Sequence, residues 1–170
     1  AIAADAAGYV AVDEAEWARR ENVTFDTGKP FGAGCVRQGE EIVLVNEDAT
    51  QKRGMGWGLK LAQKTPTPVR FSTEGLAVKA PGGNGFELFA DVDYADGSHE
   101  WGKTVKFSPN PQAGWQRRTL VFDSGKAIDF MTVYAMLRNT AGEVRFRAPV
   151  FETLPVGTGL TRLDGVSVKT

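Results

Sequence analysis

The stretch from Phe86 to Tyr94 constrains this chain more than any other. Phe86, Leu88, Ala90, Val92 and Tyr94 alternate with Glu87, Phe89, Asp91 and Asp93. Period-two alternation places the first set on one face of a strand and the second on the other. Ala95-Asp96-Gly97-Ser98 follows at once. Asp-Gly supplies the positive φ of a tight hairpin turn, so Trp101 to Phe107 is expected to return antiparallel. One apolar face on such a hairpin demands a second layer to cover it.

The remaining sequence offers strands for that layer rather than helices. Glu41 to Val45 is mostly β-branched, and Trp57, Leu59 and Leu61 alternate with Gly58, Lys60 and Ala62. Val69 to Phe71 leads to Leu76 to Ala80, and Trp115 to Phe122 resumes after Pro109-Asn110-Pro111. From Ile128 to Arg138, Val133, Ala135 and Leu137 oppose Thr132, Tyr134, Met136 and Arg138. A turn at Asn139 to Gly142 precedes a last strand, Glu143 to Glu152. Roughly eight to ten strands at about ten-residue spacing predict an all-β antiparallel sandwich, a jelly roll.

Residues 22–153 form that expected domain. Residues 1–21 read as an arm or short helix, with helical composition from Asp13 to Arg20 and Asp13 as a possible N-cap. Residues 154–170 read as a linker and the start of a following region, with an edge strand of the sandwich as the alternative. Leu160 to Lys169 has the look of a strand pair.

Composition removes several classes of function. Lys plus Arg number 20 against 21 Asp plus Glu, without the basic excess that neutralises nucleic-acid phosphates. No apolar run reaches the length of a membrane-spanning helix. A single cysteine, Cys35, and a single histidine, His99, exclude an intrachain disulfide and a His-rich metal site. Cys35 reads as a small buried hydrophobe. There is no Gly-x-Ser-x-Gly elbow, P-loop or His-Glu-x-x-His motif. Gly54-Met55-Gly56-Trp57-Gly58 looks superficially like a phosphate loop, but no helix pattern follows. Alternate glycines in a strand point to a bulge or a close backbone approach.

The candidate binding residues are aromatic and planar polar. Four tryptophans occur, at 17, 57, 101 and 115. An indole face suits the C–H face of a sugar ring, and Arg, Asp or Asn suit its hydroxyls. Trp57 and Trp101 are the candidate platforms. Phe89, Asp91 and Asp93 share one predicted face, as do Tyr134 and Arg138, and Arg53 is a further candidate. The competing use of the tryptophans is to seal the core. Paired carboxylates such as Asp91 and Asp93, about 7 Å apart along a strand, also open a hydrolytic reading.

The order of these segments resembles a known family. Val45-Asn46-Glu47-Asp48, Gly56-Trp57-Gly58-Leu59-Lys60-Leu61 and Pro68 to Ala77 begin the series. Phe86 to Gly97, Trp101-Gly102-Lys103-Thr104, Gly114 to Arg118 and Val133 to Arg138 continue it. Together, over roughly Asn22 to Glu152, they resemble jelly-roll carbohydrate-binding modules of the xylan- and glucan-binding, galactose-binding-like type. The resemblance implies a non-catalytic accessory domain of a larger secreted bacterial glycoside hydrolase, with a poly- or oligosaccharide and a neighbouring catalytic domain as partners, and neither nucleic acid nor membrane. It also implies a structural calcium, for which Asp26 matches the first part of the site. Where such modules carry Phe-Asp-Asp in the last strand, this chain has Arg145-Phe146-Arg147-Ala148, and arginine repels a cation. Arg147 is then expected to pair with Asp26 instead. Two alternatives stand beside the binding reading: a spacer or adhesion sandwich without glycan affinity, and a polysaccharide lyase or hydrolase using Tyr134 near Arg138.

Overall fold

The structure, a computed structural model, describes residues 17–20, 23–154, 160–163 and 166–169, the last two segments as backbone only. In chain order the strands are β1 (Ala18–Arg19), β2 (Lys29–Phe31), β3 (Cys35–Gln38), β4 (Glu41–Asn46), β5 (Lys52–Lys60), β6 (Val69–Lys79) and β7 (Phe86–Tyr94). They continue with β8 (His99–Lys106), β9 (Gln116–Phe122), β10 (Ile128–Arg138), β11 (Gly142–Thr153), β12 (Leu160–Leu163) and β13 (Val166–Lys169). A 3-10 turn, Pro111–Ala113, precedes β9.

Two antiparallel sheets pack as a sandwich. One runs β3-β4-β11-β6-β9, with β1 added to the far end of β11. The other runs β2-β5-β10-β7-β8. The eight segments expected from alternation are β4 to β11. The other three strands of the sandwich are two to four residues long, too short for any periodicity to announce. Strands β12 and β13 pair only with one another, as a separate hairpin.

The N-terminal segment departs from helical expectation where it is described. Ala18 and Arg19 pair with Thr153 and Glu152, and Arg20 N donates to Phe151 O at 2.7 Å. The otherwise open edge of β11 offers backbone partners there, and sheet pairing overrides local propensity. Asp13 lies outside the described residues.

The core follows from alternation on both layers. Leu88, Ala90 and Val92 of β7 and Val133, Ala135 and Leu137 of β10 are fully buried. They meet Ile42 and Leu44 of β4, Phe71 of β6, Leu120 of β9 and Phe146 of β11. Strand β11 shifts register between Arg147 and Val150, where Ala148 has φ +50°. That bulge changes which residues face inward, so Phe146 and Phe151 are both buried. The Thr73 hydroxyl donates to Arg147 O at 2.7 Å and satisfies that carbonyl beside the bulge. The expected hairpin turn forms at Gly97, with φ +83°, and Tyr94 N donates across it to Ser98 O at 2.8 Å.

Trp57 corrects one expectation. It shares the inward face of β5 with Met55 and Leu59 and is 3% exposed. Its ring lies 5.4 Å from Phe71, and its indole N–H donates to Thr24 O at 2.7 Å. Its aromatic face is spent inside the protein, so it offers no platform to a ligand. Trp57→Ala is expected to destabilise the sandwich by about 3–5 kcal/mol, read as a lowered midpoint in urea unfolding. An unchanged midpoint would contradict this packing.

Candidate functional site

The outer face of the five-stranded sheet is organised in rows set by strand register. One row joins Lys29, Gly56, Tyr134, Phe89 and Thr104 across β2, β5, β10, β7 and β8. The next joins Gly58, Thr132, Asp91 and Trp101. On the other side lie Phe31, Gly54, Met136, Glu87 and Lys106, then Lys52 and Arg138. Rows on one face are about 7 Å apart along the strands. Alternation therefore fixes which side chains a long ligand would meet, and in what order.

Within this face β5 presents no side chains at 54, 56 and 58. The rings of β10 lean into the vacated space. A Cβ on Gly56 would stand 2.9 Å from Tyr134 Cδ1, and one on Gly58 would stand 3.0 Å from Phe130 Cζ. The result is a groove of about 480 Å³, floored by Gly56 and Gly58 and walled by Lys29 to Phe31 of β2 on one side and Phe89 and Asp91 on the other. The alternate glycines of the sequence are thus a close backbone approach that makes room for rings. Tyr134 stands edge-on to both Phe31, at 5.6 Å, and Phe89, at 5.8 Å. Such T-shaped pairs hold one another in place by the attraction of ring edge to ring face.

One end of the groove is built on Glu87. Its carboxylate is fully buried and pairs with Arg138 Nε and with Lys106 Nζ. Arg138 also lies over the Phe89 ring, 5.5 Å from its centroid. The hydrogen bond to Glu87 raises the Arg138 pKa, in a guanidinium that is permanently charged in any case. A buried carboxylate gripping two cations fixes their positions at the sheet surface.

The other end depends on a bulge in β8. Lys103 pairs with Ala90 and Trp101 with Asp91, leaving Gly102 as the extra residue with φ +81°. Gly102 N, freed from the ladder, donates to Asp91 Oδ1 at 2.9 Å. The extra residue reverses the alternation of β8 and brings Trp101 to the outer face. Trp101 is 62% exposed, yet both its polar end and one ring face are engaged. Its indole N–H donates to Asp93 Oδ1 at 3.2 Å, and the His99 ring stacks on it at 3.8 Å.

Four of the residues picked out in the sequence, Phe89, Asp91, Tyr134 and Arg138, line the groove together. Trp101 and Asp93 stand on the same face beside it. Arg53 does not join them: it sits on β5 with the parity of Met55, and its Nη1 donates to Ala33 O at 3.3 Å. Lys29, Phe31, Lys52, Thr132 and Met136 also line the groove. The outward parity of Thr132 and Met136 was readable from the alternation of β10. Lys29 and Phe31 lie on a three-residue strand that carries no pattern.

The residues around Asp26 do not fit the implied calcium. Asp26 is paired with Arg37, not with Arg147 as expected. Arg147 instead donates from Nε to Glu74 at 3.0 Å and lies 4.0 Å above the Trp115 ring. Among the described residues no three Asp, Glu, His or Cys side chains converge to hold a metal. Nor do Cys35 and His99 meet: they lie on β3 and β8, in different sheets, and burial pushes the thiol pKa up.

No protein-family model matches the chain, and no curated protein sequence does either. Solved structures match throughout the sandwich. The CBM22-1-GH10 modules of Clostridium thermocellum endo-1,4-β-D-xylanase 10B, complexed with xylohexaose, align over 85% of this chain and 29% of that one, at 12% identity and TM-score 0.51. A family 4 carbohydrate-binding module aligns over 81% and 86%, at 12% identity and TM-score 0.50. The CBM22-1 xylan-binding domain of Paenibacillus barcinonensis Xyn10C aligns over 83% and 87%, at 8% identity and TM-score 0.49. At such identities the shared property is architecture: the chain has the jelly-roll sandwich fold of carbohydrate-binding modules.

Burial, and behind it the charge of Asp91, raises the pKa of Tyr134 above that of an ordinary tyrosine. Difference titration of the wild type against Tyr134→Phe by ultraviolet absorbance should show this phenol ionising later than a free tyrosine. Ionisation at or below the free value would contradict the described surroundings.

Proposed function

We propose that this chain is a non-catalytic carbohydrate-binding module that holds a glycan along the groove of its five-stranded sheet. The observation that carries the reading is the aromatic cluster of Phe31, Tyr134 and Phe89 set against the glycine column, with Asp91 on one side and Arg138 on the other. Sugar rings offer C–H faces to such rings and hydroxyls to carboxylate and guanidinium. Trp101 extends the aromatic surface beyond Asp91, held by Asp93 and His99. A rigid platform loses little freedom on binding, which favours affinity.

The wider setting is part of the same proposal. A domain that grips a polysaccharide without cutting it gains its use by tethering a catalytic neighbour, and polysaccharides are met outside the cell. A sandwich of this fold is joined to GH10 in the Clostridium thermocellum protein, which supports an accessory role in a larger secreted bacterial enzyme. A lyase or hydrolase finds less support. A phenol with a raised pKa stays protonated near neutral pH and makes a poor base. Asp91 and Asp93 already accept hydrogen bonds from Gly102 N and from the Trp101 indole.

Affinity electrophoresis through polysaccharide-containing gels, together with a glycan array, tests the proposal. The wild type should be retained by at least one glycan, and Tyr134→Ala should weaken that binding about tenfold or more without changing the melting temperature greatly. Trp101→Ala should weaken binding of longer chains more than of short ones. A wild type retained by no glycan would leave only a scaffold.

A further inference from the structure

We infer that the groove selects acidic glycans, with an oxyanion of the sugar, carboxylate or sulfate, seated between Lys52 and Arg138. The inference rests on the glycan-binding reading and narrows it to a substrate class.

The first observation is a pair of like charges. Lys52 and Arg138 are direct cross-strand partners on β5 and β10, and both line the groove. Like charges placed opposite one another repel and weaken a sheet. Nothing in the core requires them there, since both face outward. A bound anion turns that repulsion into two attractions.

The second observation is that the local anions do not balance these cations. Among the described residues, neither Lys29 nor Lys52, which line the same groove, has an ion-pair partner. The groove lining holds Lys29, Lys52 and Arg138 against one carboxylate, Asp91, in a chain of net charge −1. Beneath it, Glu87 is shared between Arg138 and Lys106 and neutralises only one of the two. Glu87 takes Nε and Nη2 of Arg138, and Nη1 makes no hydrogen bond among the described residues. An oxyanion suits a guanidinium whose remaining donor is held at fixed position by a buried carboxylate and an aromatic ring.

The arrangement also gives the groove direction. The cationic end at Lys52 and Arg138 lies three rows along the strands from Asp91 and Trp101. Neutral hydroxyls would face the acidic end while the charged substituent faces the basic one.

Matched polysaccharides test this by calorimetry or affinity electrophoresis: polygalacturonate against its carboxyl-reduced product, and dextran sulfate against dextran. At low ionic strength the wild type should bind at least one charged member about tenfold tighter than its neutral counterpart, and added salt should narrow the gap. The pair that shows the preference distinguishes carboxylate from sulfate. Lys52→Glu, which removes one cation and gives Arg138 a second carboxylate partner beside Glu87, should abolish the preference, whereas Lys79→Glu, on the other sheet, should keep it. Equal or tighter binding of the neutral members, or a preference that survives Lys52→Glu, overturns the inference and leaves glycan binding standing. Failure to bind any of the four, together with a blank glycan array, overturns both.

Discussion

Burial of one side of β10 is the constraint on which the rest of the structure depends. Met131, Val133, Ala135 and Leu137 are sealed against the opposite sheet. A slip of one residue would move that whole set to the surface. Register is therefore fixed by the inner face, and the outer face inherits its order without having to contribute to folding. Thr132, Tyr134 and Arg138 stand where they do because of the residues between them. Strands β5 and β7, paired on either side over most of their lengths, inherit the same discipline.

On that fixed frame the groove is made by three local departures from regular side-chain packing. The glycines of β5 withhold side chains, so rings from β10 lie against bare backbone. Glu87 takes a charge into a fully buried position and holds two cations above it. The bulge at Gly102 reverses the parity of β8 and exposes an indole that regular alternation would have turned inward. A sandwich built only for stability needs none of these. A buried carboxylate costs several kcal/mol in desolvation unless it is well paired, and an exposed, tethered tryptophan adds no core.

Much of the fold was legible in the sequence because alternation is a direct image of sheet geometry. Segments β4 to β11 each carry it or a run of β-branched residues. The outer faces of β7 and β10 could be read residue by residue; that the two strands are neighbours, which sets Phe89 and Asp91 beside Tyr134 and Thr132, could not. The burial of Trp57 is written in its spacing: it alternates in phase with Leu59, and a residue in phase with the core faces the core. Arg53 stands off the groove for the same reason. Other features were not legible. A bulge at one glycine cannot be told from a plain strand glycine, so the face of Trp101 could not be assigned. Lys29 and Phe31 reach the groove through a pairing between β2 and β5 that no local pattern encodes. Asp26 looked like a metal ligand by resemblance, and only tertiary structure shows the Arg37 guanidinium that occupies it.

The most direct test of the central claim is a heteronuclear NMR titration of the isotopically labelled chain with the best-retained oligosaccharide. The account predicts saturable shifts of the Gly56 and Gly58 amides and the Trp101 indole N–H, with the buried Trp57 indole N–H left in place. Shifts confined to the opposite sheet, or to the strand ends with the glycine column silent, would contradict it.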